Sequence, residues 1–195
     1  MSHVSIITES PAVLSTAEAK AHLRLPGADT SQDDYIASLC SAATRYIETT
    51  TDRVLVSGSL QLTRPTLSTC IEIPRAPIIS VDSIVLTDED GAETTVASSV
   101  YGLDTTTVPP RVRLRTNQSY PTVSLGNIDP VAINFTAGYG STDAVPADLK
   151  HAAKLLVGAW FEVREPVVLG TIATRVPLTV EALLASYKVY PKGDA

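Results

Sequence analysis

Residues 31–52 read SQDDYIASLCSAATRYIETTTD, and the architecture of the chain follows from this stretch. Ser31 with Asp33 and Asp34 is typical of a helix N-terminus, where a small polar cap and carboxylates are favoured. Three consecutive threonines at 49–51 predict its end, because threonine is a poor helix former. The apolar residues between them form one stripe of a 3.6-residue period: Tyr35, Ile36, Leu39, Cys40, Ala43, Tyr46 and Ile47.

A second amphipathic helix is predicted over residues 146–164. Pro146 suits the first helical position and Asp148 the first turn. Its stripe contains Leu149, Ala152, Ala153, Leu156, Trp160 and Val163. Because neither helix would be stable alone in water, we expect the two stripes to pack against each other.

Two shorter helices flank these long ones. Ser15 and Glu18 have the spacing of a capping box, which predicts a helix over 17–25. Thr179 is the expected cap of a last helix over 180–187, with Leu178 packing onto Leu183.

The middle of the chain is predicted to be β-structure, since residues 54–140 contain no lysine and no long helical pattern. Asp90-Gly91 is typical of a hairpin turn, so residues 84–86 should pair with 94–96. The predicted strands cover 56–63, 69–73, 79–87, 93–96, 112–115 and 131–136.

These patterns together predict an α+β fold. A helical core is built from the N- and C-terminal segments, and a small antiparallel β domain is inserted between them. The expected boundaries are an N-terminal helical segment at 1–53, the inserted β-rich domain at 54–142 and a C-terminal helical segment at 143–195. The two helical segments pack together, giving one compact chain.

Composition excludes several classes of function. The chain has 15 basic and 21 acidic residues, a formal net charge of −6, which argues against a free-standing nucleic-acid binder. No run of about 18 apolar residues and no signal-peptide pattern is present, so no membrane association is expected. Cys40 and Cys70 are too few for a disulfide framework or a zinc site, and we expect both to be buried in a protein of the reducing cytoplasm.

The sequence shows no catalytic residue, metal-ligand set or cofactor motif. His3, His22 and His151 have no Cys, Asp or Glu at metal-binding spacing, and no nucleophile elbow or phosphate-binding loop is present. Gly138 and Gly140 predict a turn before the third helix. We therefore expect a protein that is not an enzyme and binds no cofactor.

Two features leave alternatives open. Arg111, Arg113 and Arg115 alternate with apolar residues, so they either meet a phosphate or an acidic partner or form the solvated face of an edge strand. Residues 165–177 are apolar without a clear period, so they either fold against their own core or are covered by another chain.

An ordered set of segments resembles one protein family, the head–tail connector (adaptor) proteins of tailed phages, prophages and gene transfer agents. The set spans residues 14–187, nearly the whole chain. The segments are LSTAEAKAHLR (14–24), YIETTTDR (46–53), IPRAPIISV (73–81), FTAGYG (135–140), LLVGAWF (155–161), REPVV (164–168) and VEALLASY (180–187).

The resemblance implies a structural virion protein at the head–tail junction, present in the bacterial cytoplasm during assembly. Such a protein docks beneath the portal protein as a ring of about twelve identical subunits with heterologous contacts. The ring extends the DNA channel and is the platform for a stopper or tail-completion protein. DNA would pass without specific binding, because an acidic wall does not hold phosphates.

Candidate contact residues follow from this implied role. The arginines Arg111, Arg113 and Arg115 would face a neighbouring subunit or the DNA. The apolar segment and last helix would dock the portal, through Val167, Val168, Leu169, Ile172, Val176, Leu183, Leu184 and Tyr187. A head-completion or tail-side adaptor and an unrelated interaction module are the alternative functions.

Overall fold

The computed structural model describes residues 3–162 and 178–189. The chain divides into two compact units. The β unit comprises Met1–Ser10, Ser57–Tyr139 and Val189–Ala195, and the helical unit comprises Pro11–Val56 and Gly140–Lys188. The α+β class is confirmed, with a helical core built from two segments far apart in sequence and antiparallel sheets in the other unit.

The described residues of the helical unit form four α-helices and one short 3₁₀ turn. They are α1 (Thr16–Leu23), α2 (Asp33–Thr51), α3 (Ala147–Glu162) and α4 (Leu178–Ala185), with the turn at Thr142–Ala144. Helix α2 packs against α3, and α1 and α4 each contact both of them.

The two apolar stripes meet as predicted. Ile36, Cys40, Ala43 and Ile47 of α2 are buried, as are Leu149, Ala152, Ala153 and Leu156 of α3. Aromatic side chains extend the contact, since the Tyr46 and Trp160 rings meet edge to face at 6.1 Å and the Tyr35 and Phe161 centroids are 6.0 Å apart.

Local signals fix the helix ends. Ser15 and Glu18 form the predicted capping box, in which the Glu18 backbone N–H donates to Ser15 Oγ at 3.2 Å and the Ser15 N–H donates to Glu18 Oε2 at 2.9 Å. These hydrogen bonds hold the pKa of Glu18 below its usual value. Helix α2 ends after Thr51, within the predicted run, at a left-handed Asp52.

A buried carboxylate organises the exit from α2. Glu48 is 5 % exposed, and its Oε1 accepts the Leu55 backbone N–H at 3.0 Å. Leu55 is itself fully buried, so this N–H has no access to water and the carboxylate satisfies it.

In the part of the β unit that the structure describes, eight antiparallel strands form two sheets. A five-stranded sheet has the order β1 (His3–Thr8), β2 (Gly58–Arg64), β8 (Val131–Ala137), β4 (Ile78–Thr87) and β5 (Glu93–Thr95). A three-stranded sheet has the order β3 (Cys70–Glu72), β7 (Arg111–Leu114) and β6 (Tyr101–Asp104).

The five-stranded sheet has one apolar and one polar face, as period-two alternation requires. On the apolar face Leu60, Leu62, Ile133 and Phe135 are nearly or fully buried. On the polar face hydrogen bonds cross three strands, because Gln61 donates to Asn134 and Asn134 donates to Ser83, both at 2.9 Å.

The predicted hairpin is confirmed. Val85 pairs with Thr95 and Thr87 with Glu93, and the turn closes on Asp88, whose Oδ1 accepts the Ala92 N–H at 2.7 Å. Gly91 has φ +83°, a left-handed conformation that glycine adopts without a steric penalty.

The structure contains two strands that the sequence analysis did not predict, β1 and β6. Residues 3–8, assigned there to a helical segment, form strand β1, which pairs antiparallel with β2. Their composition, HVSIIT, is β-branched and apolar, which favours a strand once a partner is available. Strand β6 was missed because Gly102 and Asp104 weaken its strand signal.

Three smaller expectations were wrong, and they concern β7, Cys70 and the start of α4. Strand β7 lies in the middle of its sheet rather than at an edge, because β6 pairs with its second side. Cys70 is exposed, whereas Cys40 is buried as expected. Helix α4 begins at Leu178, two residues early, and Leu178 is 81 % exposed rather than packed onto Leu183.

The Glu48 contact gives a stability prediction. Glu48→Ala leaves the buried Leu55 N–H without an acceptor, so the free energy of unfolding should fall by about 1–3 kcal/mol. Glu48→Gln keeps an acceptor oxygen and should cost clearly less. Urea denaturation of the three proteins measures the difference, and equal losses for both variants would contradict the role given to the carboxylate oxygen.

Candidate functional site

Helix α4 presents two different faces. Val180 and Leu184 are buried, at 0 % and 1 % exposure, and hold the helix to the helical unit. The opposite face is exposed and carries small and apolar side chains, namely Leu178, Ala182 and Ala185. These are spaced i, i+4 and i+7, so they form one stripe along the outside of the helix.

A cluster around Tyr187 fixes the end of this helical segment. Arg53 Nε donates to the Tyr187 carbonyl oxygen at 2.7 Å, and the Arg53 guanidinium lies 5.9 Å from the centroid of the Tyr187 ring. The Tyr187 hydroxyl donates to Asp148 Oδ2 at 3.1 Å. Tyr187 thereby links the residue after the α2 cap to the first turn of α3, which gives α4 a defined position.

The structure shows which of the predicted docking residues are buried and which are accessible. Val167, Val168, Leu169, Ile172 and Val176 lie outside the described residues. Leu184 belongs to the buried core of the helical unit, while Leu183 and Tyr187 are half-buried and Tyr187 makes internal contacts. The exposed stripe of Leu178, Ala182 and Ala185 was not singled out from the sequence, although the helical spacing of residues 178, 182 and 185 carries that signal.

The three predicted arginines lie on β7 and just after it. Arg111 Nη2 donates to Glu72 Oε1 of β3 at 2.6 Å, and Arg113 Nε lies 3.7 Å from Asp104 Oδ2 of β6. Arg115 Nε donates to the Tyr101 carbonyl oxygen at 2.8 Å. The three side chains therefore connect β7 and the residue after it to both neighbouring strands, β3 and β6.

The three arginines differ in their access to solvent. The side chains of Arg111 and Glu72 are 25 % and 24 % exposed, whereas that of Arg113 is 52 % exposed and its ion pair is long. Hydrogen bonds from Thr106, assisted by Arg113, lower the pKa of Asp104 below its usual value. Arg113 and Arg115 are both exposed, and Arg113 makes the longer of their two polar contacts, at 3.7 Å against 2.8 Å.

No group of three potential metal ligands occurs among residues 3–162 and 178–189. Burial raises the pKa of the Cys40 thiol to about 11, which keeps it protonated and unreactive. His3, His22 and His151 are exposed, and His22 lies beside Gly158 at the contact of α1 with α3. No helix in the described part of the chain is long and apolar enough to cross a membrane.

A cleft at the start of α2 contains paired opposite charges. Lys20, 6 % exposed, forms an ion pair with Asp33 and donates to the Asp29 carbonyl oxygen at 2.6 Å. The buried ammonium of Lys20 thus has its partners within the chain, and these contacts hold the loop between α1 and α2 in place.

The described residues present an exposed helical stripe and a row of arginines, and comparison with known proteins identifies the class of the protein. Residues 15–118 match the family of phage gp6-like head-tail connector proteins. No curated protein matches the chain.

Solved structures of gene transfer agent (GTA) particles contain similar chains. A chain in the neck of an empty GTA particle, computed with C6 symmetry, is 29 % identical with a TM-score of 0.82, and the alignment covers 97 % of both chains. A chain in the virion of a native GTA particle is 28 % identical with a TM-score of 0.78, over 97 % of this chain and 96 % of that one. A chain in the neck of a native particle, computed with C12 symmetry, is 28 % identical with a TM-score of 0.72, over 96 % and 97 %.

The fold and these relatives define a structural protein of the virion neck. The chain belongs to the phage gp6-like head-tail connector family, whose model matches more than half of its length. The resemblance found in the sequence is therefore confirmed, and so is the connector role.

The Tyr187 cluster predicts how firmly α4 is held. Arg53→Met removes a part-buried hydrogen bond worth about 0.5–1.5 kcal/mol, so amide exchange in residues 178–187 should become about two- to tenfold faster. Tyr187→Phe removes only the exposed bond to Asp148 and should have a smaller effect. Hydrogen exchange measured by mass spectrometry tests this, with peptides of α2 as the internal reference; unchanged exchange in α4 would refute the anchoring role.

Proposed function

We propose that this connector assembles as a ring of twelve copies beneath the portal protein, where it extends the DNA channel. The observation that carries the proposal is the similarity over 97 % of the chain to a neck protein, together with a second neck computed with C12 symmetry. A ring of identical subunits uses heterologous contacts, in which one surface meets a different surface of the next copy.

Portal docking is assigned to α4 and the apolar segment that precedes it. The support in the described residues is the exposed stripe of Leu178, Ala182 and Ala185 on a helix whose other face is anchored by Val180 and Leu184. An anchored helix presents its outer stripe without first ordering itself, which lowers the entropic cost of binding. The direct contact is therefore made by this outer stripe rather than by Leu184.

DNA passes through the channel without specific binding. The net charge of −6 repels phosphates. Arg111, Arg113 and Arg115 already make contacts within the chain, with Glu72, Asp104 and the Tyr101 carbonyl oxygen respectively. The far side of the ring is then the platform for a stopper or tail-completion protein. The site of action is the head–tail junction of the virion, after assembly in the bacterial cytoplasm.

A head-completion or tail-side adaptor is the second candidate, because a ring at the neck has one side toward the head and one toward the tail. The test of the main proposal is to mix the protein with the portal ring of the same genome and image the product by electron microscopy. A second ring stacked on the portal supports portal docking. Two folded proteins that give no added density would favour the tail-side position.

Variants on α4 sharpen the portal experiment. The double variant Leu178→Glu, Ala182→Glu places two carboxylates on the outer stripe and should abolish portal binding while leaving the helix folded. The matched control, Ala37→Glu with Ser41→Glu, adds the same charge at the same i, i+4 spacing on exposed positions of α2 and should bind like the wild type. Pull-down on immobilised portal with circular dichroism measures both, and equal binding by the two variants would argue against the stripe.

Arg113 is the arginine assigned to the contact between neighbouring subunits. Arg113→Glu should weaken ring assembly, because the side chain is half exposed and the neighbouring chain is acidic overall. Arg111→Gln is the control, since it disturbs the internal pair with Glu72 and should lower thermal stability more than it lowers assembly. Mass photometry of assembled rings measures the effect, and full assembly of Arg113→Glu would exclude this contact.

A further inference from the structure

Among residues 3–162 and 178–189, strand β1 forms one edge of the five-stranded sheet, and no strand of this described part pairs with its outer side. The register with β2 is regular from His3 to Ile6, and Ile7 is the extra residue of a bulge before Thr8. Its outer edge therefore presents a regular row of backbone groups over four residues, followed by a side chain turned out of the ladder.

The exposed side chains of β1 are apolar at the end of the strand. Ile6 is 48 % and Ile7 57 % exposed. An edge strand with exposed apolar side chains is a template for pairing with another chain. Proteins protect such edges with charged side chains, and β1 has no Asp, Glu, Lys or Arg over residues 3–8.

The other edges of the described sheets differ from β1 in this respect. Strand β5 contains Glu93, β3 contains Glu72 and β6 contains Asp104. The outer side of β4 that β5 leaves uncovered carries Asp82 and two irregularities in its register. Each of these edges thus has the charge or the bulge that discourages strand pairing, whereas the regular part of β1 has neither.

We infer that β1 is the strand through which one copy of this chain pairs with the neighbouring copy in the ring. The neighbour is the occupant because similar chains stand in necks computed with C6 and C12 symmetry, where identical subunits follow one another around an axis. The pairing is heterologous: β1 of one copy adds to an extended segment on a different surface of the next copy. The inference rests on the proposed ring.

Strand addition also explains why the apolar residues stand at the edge. Main-chain hydrogen bonds to the neighbour supply affinity, and Ile6 and Ile7 are covered by it, which removes their apolar surface from water. A free monomer would keep this edge exposed. The ring is accordingly the state in which every edge of the sheet is either paired or protected.

Hydrogen exchange of the wild-type protein is the first test. The amides of residues 3–8 should exchange about tenfold more slowly, or slower still, in the assembled ring than in the free protein, because outward N–H groups gain partners. A ring in which these amides exchange as in the free protein overturns the inference. If the wild type forms no ring, alone or on the portal, then the proposed function itself fails, which is a separate result.

The second test is the double variant Ile6→Lys, Ile7→Lys, which places two charges on the edge. It should not form rings, while its β unit keeps its circular dichroism spectrum. The matched control is Val108→Lys with Ile128→Lys, since these residues are 63 % and 90 % exposed in loops of the same unit. The control should assemble as the wild type does. Ring formation by the edge variant, or symmetric dimers of the wild type linked through β1, overturns the inference.

Discussion

The burial of the apolar stripe of α2 against that of α3 is the contact on which the rest of the structure depends. Ile36, Cys40, Ala43 and Ile47 meet the α3 stripe across more than a hundred residues of intervening sequence. Neither helix is stable alone, so the helical unit forms only when the two segments that contain α2 and α3 come together. Helices α1 and α4 then pack on this pair, and the Glu48 carboxylate holds the chain that follows α2 at Leu55.

Some structural features are determined by residues close together in sequence and others by distant residues, and only the first kind could be predicted. The Ser15 capping box, the Asp90-Gly91 turn and the two helical stripes are determined by residues within about one element length, and all of them are present in the structure. Strand β1 and the central position of β7 depend on partners far away in sequence, which a local pattern does not specify.

The candidate functional surfaces were also predictable only in part, because distant contacts decide which side chains are exposed. The family was recognisable because its segments occur in order along the chain, but the role of each side chain depends on what it touches. The sequence suggested that Arg111 could contact a partner, but its guanidinium donates a hydrogen bond to Glu72 on a different strand. The exposed stripe of Leu178, Ala182 and Ala185 becomes visible only once Val180 and Leu184 are known to face the core.

The position of β8 has a consequence for the order of folding. This strand lies between β2 and β4, so both halves of the five-stranded sheet are joined through residues 131–137, while β1 comes from the first residues of the chain. On the ribosome the five-stranded sheet therefore cannot form until residues 131–137 have been synthesised. Pairing between strands so distant in sequence makes folding slow. Because α3 follows β8 closely in sequence, the residues that complete the five-stranded sheet and the α2–α3 pair are synthesised within a short interval, whereas all strands of the three-stranded sheet are available earlier.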